Sequence, residues 1–296
     1  MVKEEHSYPR ISIVTPNFNK GDYLEATIQS VLSQNYPNLE YIIMDGGSTD
    51  NSLDIIHKYE SRLAYWVSEK DKGMYDAIHR GFEHSTGEIM GWINSDDMLH
   101  PGALFILADI FSNYPQVNWL TGANSRYDEY GKTVNVDRGK HFSRTDFLIG
   151  DYKYIQQEST YWRRSLYDRS GGLDTTLRLA GDLSLWLRFM RTDKLYVVNA
   201  LIGGFRMCRE GQLSGNESSY LEEANKVIAS EPLDSEAKQK IKKRRDKIRW
   251  SMLLRRLKIF NTGLFDNWLF SEERREANLC TFRFDRSKQS FFLPEA

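Results

Sequence analysis

A pair of adjacent carboxylates follows an apolar segment in the first half of the chain. Asn94-Ser95-Asp96-Asp97 comes directly after residues 89–93. Hard divalent cations such as Mg²⁺ and Mn²⁺ prefer oxygen ligands and often bind through one or two carboxylates together with substrate phosphates. A turn with a helix cap before Pro101 would also place two aspartates together. The sequence therefore predicts a cation site or a simple turn here, and the neighbouring clusters favour the cation site.

Two further polar clusters follow apolar runs in the same way. Thr15-Pro16-Asn17 comes after residues 11–14, and the small-residue stretch 45–50 comes after residues 41–44. Gly46 and Gly47 allow a ligand to approach the backbone closely, and Asp45 could accept hydrogen bonds from a base or a ribose. Ser48 or Asp50 would serve equally well as a helix N-cap. The stretch lacks the G-x-G-x-x-G spacing, which disfavours a nicotinamide-cofactor site.

Two more acidic positions stand just before helical patterns. Residues 69–76 are dense in charge and include Lys72. A solvated loop with an acidic cap is the ordinary interpretation of such a stretch. Asp182 precedes an amphipathic helix predicted over residues 183–191 and would by itself be an N-cap. A carboxylate at the mouth of a site could instead act as a general base.

The elements that carry these residues alternate between short apolar runs and amphipathic helical patterns up to about residue 111. This alternation predicts a mostly parallel sheet covered by helices on both faces. Ligands of such sheets bind beyond the carboxyl ends of the strands, where all three polar clusters would meet. After about residue 115 the pattern predicts mixed α+β structure, with a hairpin turning at Tyr130-Gly131.

The composition narrows the class of protein. The 296 residues carry 40 Lys and Arg against 41 Asp and Glu, a net charge of -1, which argues against a generally basic nucleic-acid binder. Two cysteines, Cys208 and Cys280, provide no disulfide framework and no metal-binding pair. No apolar run approaches the roughly 20 residues of a spanning helix, and residues 1–10 have no signal-peptide core. We therefore expect a cytoplasmic protein.

Five motifs, in order along residues 10–215, resemble those of inverting family 2 glycosyltransferases. They read Thr-Pro-Asn-Phe-Asn from position 15, Met-Asp-Gly-Gly-Ser-Thr-Asp from 44, Ser-Glu-Lys-Asp-Lys-Gly-Met-Tyr-Asp-Ala from 68, Asn-Ser-Asp-Asp from 94 and Gly-Asp-Leu-Ser-Leu-Trp-Leu-Arg from 181. The resemblance implies an α/β fold of the GT-A type, Rossmann-like, with a mostly parallel central sheet flanked by helices. It also implies a nucleotide-sugar donor, by default a UDP-sugar, and a Mn²⁺ or Mg²⁺ ion.

The resemblance assigns roles residue by residue. Thr15, Pro16 and Asn17 would line the nucleotide pocket, Asp45 would contact the nucleobase, and Lys72 would lie near the nucleotide or its diphosphate. Asn94, Ser95 and Asp96 take the place of the Asp-x-Asp motif, with Asp96 the first choice for the metal and Asp97 the choice in a shifted alignment. Asp182 matches the catalytic base. Arg206, Gln212 and Ser214 fall where the family closes a loop over the diphosphate.

The chain departs from the family pattern at several positions. Asn94 replaces the usual first aspartate, and no histidine lies between residues 203 and 215 to supply a further metal ligand. Both changes weaken the predicted metal contact. Gly181 replaces the acid that often precedes the base, and Ser184 replaces another common aspartate, which leaves Asp182 alone. Glu158 would contact the acceptor or make a structural hydrogen bond.

The predicted activity is transfer of a sugar to a saccharide or lipid-linked acceptor, in the synthesis of a surface polysaccharide or glycolipid. Asp182 would deprotonate the acceptor hydroxyl as it attacks the anomeric carbon, inverting the configuration in one step. A protein that binds nucleotide sugars without turnover would not need Asp182. A sugar-phosphate nucleotidyltransferase would need a glycine-rich phosphate loop with a basic residue near the N-terminus, which residues 15–21 do not supply.

The sequence divides into a catalytic domain at residues 1–217 and a helical C-terminal extension at residues 218–296. Lysine and arginine dominate residues 238–258, where Asp246 is the only acid. The basic segment 238–260 fits an interfacial helix attracted to anionic lipid, on the inner face of a membrane. It fits equally well a packing helix with a solvated basic face, or a subunit contact in a homo-oligomer. No motif in it points to nucleic acid.

Overall fold

The structure, a computed structural model, describes residues 8–150, 155–208, 217–257 and 262–295. Its strands are β1 (Ile11–Asn17), β2 (Leu39–Asp45), β3 (Tyr65–Ser68), β4 (Ile89–Trp92), β5 (Met98–Leu99), β6 (Trp119–Thr121), β7 (Asn124–Tyr127), β8 (Thr133–Asp137), β9 (Thr160–Arg163), β10 (Tyr196–Val198), β11 (Gly203–Arg206), β12 (Thr281–Asp285) and β13 (Ser290–Phe292). Its α-helices are α1 (Gly21–Leu32), α2 (Ser52–Tyr59), α3 (Met74–Glu83), α4 (Ala103–Asn113), α5 (Arg144–Leu148), α6 (Arg164–Arg169), α7 (Gly181–Phe189), α8 (Glu217–Ser230), α9 (Ser235–Leu257), α10 (Thr262–Leu269) and α11 (Ser271–Leu279).

The described strands form a large sheet in the order β3-β2-β1-β4-β9-β6-β10-β12-β13. Strands β3, β2, β1 and β4 are parallel to one another, as the βα alternation predicts. Beyond them β9 runs antiparallel to both β4 and β6, so the sheet is mixed, in line with the change of pattern after residue 115. A smaller sheet of order β5-β11-β7-β8 lies beside it and contains the predicted hairpin.

Strand β1 is longer than the sequence predicts. The apolar run ends at Val14, which predicts a loop from residue 15, but residues 15–17 continue the strand and pair in register with residues 43–45 of β2. The backbone of Val14 bonds towards the β4 side, where its carbonyl accepts from the amide of Ile93. Residues alternate between the two sides of a strand, so Pro16 also faces that side and has no N–H to donate. Pairing with β4 therefore stops, whereas pairing with β2 continues to Asn17.

Alternate residues of β1 serve two cores, one on each face of the sheet. Ile11 and Ile13 pack in the core formed with α1, α2 and α4. Val14 packs in the opposite core, formed with α3, α6 and α7. All three side chains are fully buried, which is the arrangement expected of a parallel sheet covered on both sides.

Four buried tryptophans fix α7 against the sheet. Trp186 of α7 stacks on Trp92 at 6.1 Å and on Trp119 at 5.5 Å between ring centroids, and meets Trp162 edge-on. Each such pair contributes about 0.5–1.5 kcal/mol beyond the area it buries. The cluster sets the position of α7, and Asp182 is the second residue of this helix.

The C-terminal region contributes helices and strands. Helices α8 to α11 confirm the helical prediction, but β12 and β13, which were not predicted, join the main sheet through the β10–β12 pairing. The division at residue 217 stays a prediction, and the sheet runs across it. Within the described ranges, none of the helices is long and apolar enough to cross a membrane.

Candidate active site

Strand register brings the three polar clusters together at one edge of the sheet. Asn17 at the end of β1 is the register partner of Asp45 at the end of β2. On the other side of β1, the chain leaves β4 through Ile93 and enters the turn that holds Asp96. The βα alternation alone predicts that these clusters meet, and the parallel strands bring them together.

Asp45 is a buried carboxylate that accepts hydrogen bonds on both oxygens. Oδ1 accepts from Asn17 Nδ2 at 2.7 Å and from Ser48 Oγ at 2.5 Å, while Oδ2 accepts from Ser68 Oγ at 2.6 Å and from the amides of Gly47 and Ser48. Burial alone would raise the pKa of Asp45, but the hydrogen bonds lower it below its usual value. A nucleobase N–H would have to take the place of a hydroxyl, and Ser48 and Ser68 can rotate to permit this.

The other predicted nucleotide-pocket residues of β1 are buried. Thr15 is fully buried, and its hydroxyl pairs with the Tyr41 hydroxyl at 3.0 Å across to β2. Pro16 is buried, and the side-chain amide of Asn17 donates to the Asp45 carboxylate and the Ser48 hydroxyl. That these three residues line a nucleotide pocket stays a prediction.

Hydrogen bonds from two other elements hold the turn after β4. The hydroxyl of Thr27 in α1 shares its one proton between the carbonyls of Ser95 at 2.9 Å and Asp97 at 2.7 Å. The Arg206 guanidinium donates to the carbonyl of Asp96 at 2.7 Å, and the Arg206 amide donates to Asp97 Oδ1 at 2.8 Å. These hydrogen bonds fix the backbone of the turn and leave the Asp96 side chain partly exposed.

The oxygen donors of this turn fit a hard divalent cation. Asp96 is 13% exposed and already holds one cation, the Lys20 ammonium, at 3.0 Å. Asn94 Oδ1 is buried and has no hydrogen-bond partner among the described residues. A carboxylate with a neutral amide oxygen would leave the remaining positions to phosphate and water. In the described part of the chain no three His, Cys, Asp or Glu side chains cluster as a metal site.

Asp97 and Glu158 are buried carboxyl groups behind the turn. Asp97 is completely buried, with Oδ2 accepting from Asn94 Nδ2 at 3.3 Å in addition to the Arg206 contact. Burial raises the pKa of Asp97 and of Glu158 well above their usual values, with nearby carboxylates adding to the effect. Between the two aspartates of the turn, Asp96 has the accessible carboxylate.

Asp182 stands half-buried at the start of α7. Its Oδ1 accepts from the amide of Leu183 at 2.8 Å and lies 3.4 Å from the Tyr75 hydroxyl. Burial raises the pKa of Asp182 to about 6, although the Leu183 amide and the nearby Tyr75 hydroxyl oppose the rise. A carboxylate with a pKa just below neutrality is ionised at pH 7 and is a stronger base than an ordinary aspartate.

Tyr75 explains the glycine that precedes Asp182. A Cβ atom on Gly181 would lie 2.7 Å from the Tyr75 ring, closer than real contacts allow. The ring therefore fills the space that an acidic side chain at position 181 would need. This departure from the family pattern is a packing consequence of Tyr75.

The remaining predicted residues have mixed positions. Lys72 is exposed just before α3, where its amide donates to Asp76 at 3.1 Å. Arg206 is buried, with its guanidinium bonded to the carbonyls of Asp96 and Glu129 and lying 5.3 Å from the Tyr23 ring centroid. Gln212 and Ser214 lie outside the described residues.

Sequence reasoning missed two residues that touch the site. Lys20, which pairs with Asp96, lies between β1 and α1, and no local pattern marks it. Tyr75 lies within the charged motif at residues 68–77 but was not singled out. An aromatic residue inside a charged motif is the signal that could have identified Tyr75.

A parallel half-sheet, a carboxylate turn after β4 and a carboxylate at the start of α7 are the arrangement expected of a nucleotide-sugar transferase of the GT-A type. The family model for Glycosyl transferase family 2 matches residues 12–180. The chain belongs to this family and is a glycosyltransferase. It is similar to an uncharacterized glycosyltransferase of Mycobacterium tuberculosis, at 31% identity over 187 residues, which cover 62% of this chain and 69% of the relative.

Solved structures show the same fold. TarS of S. aureus, residues 1–349 in complex with UDP-GlcNAc, aligns with a TM-score of 0.62 at 17% identity, covering 78% of this chain and 70% of TarS. The mannosyltransferase PcManGT of Pyrobaculum calidifontis, in complex with GDP-Man and Mn²⁺, aligns with a TM-score of 0.59 at 18% identity, covering 81% of this chain and 70% of that one. These alignments confirm the GT-A fold.

Proposed function

We propose that this glycosyltransferase moves a sugar from a nucleotide-sugar donor to an acceptor hydroxyl in one displacement that inverts the anomeric carbon. The observation that carries the proposal concerns Glu158, whose pKa is raised first by burial and further by the charges of both Asp96 and Asp182. The Coulomb energy between two charges falls as their distance grows, so Glu158 lies in the neighbourhood of both carboxylates. This supports the proposal that Asp96, at the donor end, and Asp182, at the acceptor end, belong to one centre.

In the proposed reaction Asp182 takes the proton of the acceptor hydroxyl. Its pKa of about 6, raised by burial, leaves the carboxylate ionised at neutral pH. The tryptophan cluster beneath α7 and the contact with Tyr75 hold it in place. General-base catalysis by a positioned carboxylate contributes about 10²–10⁴-fold to a rate.

At the donor end, the diphosphate leaving group would lie against the Asn94–Asp96 turn. Asp96 and Asn94 would hold the divalent cation, and Lys72, exposed just before α3, would supply an additional positive charge. A bound cation would stabilise the negative charge of the departing nucleoside diphosphate. The Thr27 and Arg206 contacts keep the turn from moving.

The donor class can be tested by thermal denaturation with nucleotide sugars in the presence of Mn²⁺. We expect a nucleoside diphosphate sugar to raise Tm and the matching monophosphate to leave it almost unchanged. At a hundred times Kd, a ligand stabilises the native state by about 2.7 kcal/mol, which corresponds to several degrees. UDP-sugars and GDP-sugars are the first to try, since the two similar structures hold UDP-GlcNAc and GDP-Man. A screen in which none raises Tm would contradict the proposal.

The basic helix α9 presents two sets of cations. One set faces its neighbours: Lys243 pairs with Glu272 at 3.1 Å, Arg244 with Asp146 at 3.1 Å and Lys247 with Glu273 at 2.8 Å. These ion pairs account for part of the basic run by packing against α5 and α11. The other set points to solvent and needs a different explanation.

The solvent-facing set, here called the outer face of α9, mixes cations with apolar side chains. Most of its members are three or four residues apart in the sequence, and two are adjacent, so all of them lie on one side of the helix. All are exposed: Lys242, Arg245, Arg249, Met252, Leu253 and Arg256. Trp250, at the edge of this face, is 59% exposed. Exposed cations beside exposed tryptophan and leucine suit the headgroup region of an anionic bilayer.

We propose that the outer face binds anionic lipid and brings the enzyme to a lipid-linked acceptor. Full-length protein is expected to sediment with phosphatidylglycerol vesicles and much less with phosphatidylcholine vesicles. Replacing Lys242, Arg245 and Arg249 by glutamate should weaken binding by at least about tenfold, since each basic residue near such a surface contributes about 1 kcal/mol. The matched control makes the same charge change at exposed Lys132, Arg286 and Lys288. Equal sedimentation of both triple variants would contradict the proposal.

Assembly of this protein into a homo-oligomer stays a prediction.

A further inference from the structure

Glu223 of α8 accepts hydrogen bonds from three consecutive backbone amides just before the proposed base. Its Oε1 accepts from the amide of Arg178 at 3.0 Å, and its Oε2 accepts from the amides of Leu179 at 2.6 Å and Ala180 at 2.7 Å. Successive N–H groups that converge in this way form a strong site for an anion. Ala180 precedes the first residue of α7, so the bonds end two residues from Asp182.

Tyr75 of α3 holds the same short segment from another direction. Its hydroxyl donates to the carbonyl of Leu179 at 3.0 Å, and its ring lies against Gly181. Leu179 is therefore bonded through its amide to α8 and through its carbonyl to α3. The two bonds span 44 and 104 positions of the chain, so the position of this segment depends on both elements.

We propose that Glu223 is a positioning residue for Asp182, and that helix α8 of the C-terminal region thereby completes the active site. The inference rests on the proposed role of Asp182 as base. Without the Glu223 carboxylate the three amides would turn to water, and the segment before α7 could shift. A displacement of about 1 Å at a reacting group can lower a rate by as much as about 100-fold.

Glu223 also acts on Asp182 through charge. Among the described residues, the titratable groups that act on Asp182 include Tyr75 from α3, Glu158 from the turn before β9 and Glu223 from α8. Burial is the main cause of the raised pKa of Asp182, and the negative charge of Glu223 adds to it. Neutralising Glu223 should therefore lower the pKa of Asp182 and move the acid limb of the pH–rate profile to lower pH. Simple loss of stability would not move this limb.

The test compares Glu223→Gln with the matched control Glu222→Gln. Glu222 is the neighbouring residue, is exposed and pairs with Lys226 at 2.7 Å. We expect Glu223→Gln to lower kcat about tenfold, leave KM for the donor within twofold, and shift the acid limb downwards. Glu222→Gln should behave as wild type. Thermal denaturation confirms that each variant is folded at the assay temperature.

If Glu223→Gln does not fold, Glu223→Asp provides the test, because it keeps the charge and lacks only one methylene. It should lower kcat with the acid limb unmoved. Wild-type kcat and an unmoved limb in folded Glu223→Gln, or wild-type kcat in Glu223→Asp, would overturn the inference. The failure of this inference is distinguishable from failure of the proposed function. An active Asp182→Asn enzyme would overturn the assignment of Asp182 as the base. An inactive Asp182→Asn enzyme together with a fully active Glu223→Gln enzyme would overturn only the positioning role of Glu223.

Discussion

Replacing Asp182 by asparagine is expected to lower kcat by about a hundredfold to ten-thousandfold, the usual contribution of a general base. The amide has nearly the same shape as the carboxylate and can still accept the bond from Leu183, so α7 should keep its position. It cannot take the proton of the acceptor hydroxyl. In the proposed reaction Asp182 lies at the acceptor end of the site, so the affinity for the donor nucleotide should change by less than about twofold. The loss would then be confined to the chemical step.

The same residue sets the expected pH dependence of the wild-type enzyme. Burial raises the pKa of Asp182 to about 6, and the base works only when it is ionised. The rate of transfer should therefore be nearly constant well above pH 6 and fall as the pH drops below it. Asp168→Asn, a matched change at an exposed aspartate of α6, should leave both the rate and the profile unchanged. A wild-type profile that stays flat from pH 7 to 5 would contradict the assignment.

Replacing Asp96 by asparagine is expected to lower transfer by about a hundredfold or more, since a bound cation supplies several kcal/mol of charge stabilisation. Asp96 has the accessible carboxylate of its turn, whereas Asp97 is completely buried and bonded to Arg206. Isothermal titration of the nucleoside diphosphate measures the effect without turnover. Mn²⁺ should strengthen its binding to the wild type and have no effect on binding to Asp96→Asn. A chelator should abolish wild-type transfer, and added Mn²⁺ should restore it.

Lys20→Gln is the control for Asp96→Asn, because the two residues form an ion pair at 3.0 Å. If the loss in Asp96→Asn came from the broken pair, Lys20→Gln would lose its response to Mn²⁺ as well. We expect Lys20→Gln to keep the response. Equal affinity of the wild type with and without Mn²⁺ would count against Asp96 as a metal ligand.

The parts of the fold that depend on local periodicity were predictable. The runs that became β2 and β4 and the helical pattern of α1 follow from residue spacing, and their parallel pairing follows from the βα alternation. The extension of β1 through Pro16 was not predictable, because it depends on which neighbour each side of the strand meets. Strands β12 and β13 were missed for a similar reason: β12 is stabilised by pairing with β10, which is distant in the sequence.

The residues of the candidate site likewise divide into those that the sequence could predict and those that it could not. Asp45, Asp96 and Asp182 are candidates from the sequence, because Asp45 ends a strand, Asp96 lies in the turn after one and Asp182 lies at the start of a helix. Lys20 and Glu223 were not, since each acts on a segment tens of residues away. Arg206 was expected at the diphosphate, and in this structure its guanidinium bonds to the carbonyl of Asp96. Motifs show which residues gather at the site, and contacts across the fold determine how they are held.

The most direct test of the account measures two quantities on one preparation of the Asp182→Asn enzyme: the affinity for the donor that the thermal screen identifies, and the initial rate of sugar transfer at saturating donor with Mn²⁺. We predict wild-type affinity together with a rate at or below about one hundredth of the wild-type value. Transfer at more than a tenth of the wild-type rate would show that Asp182 is not the base.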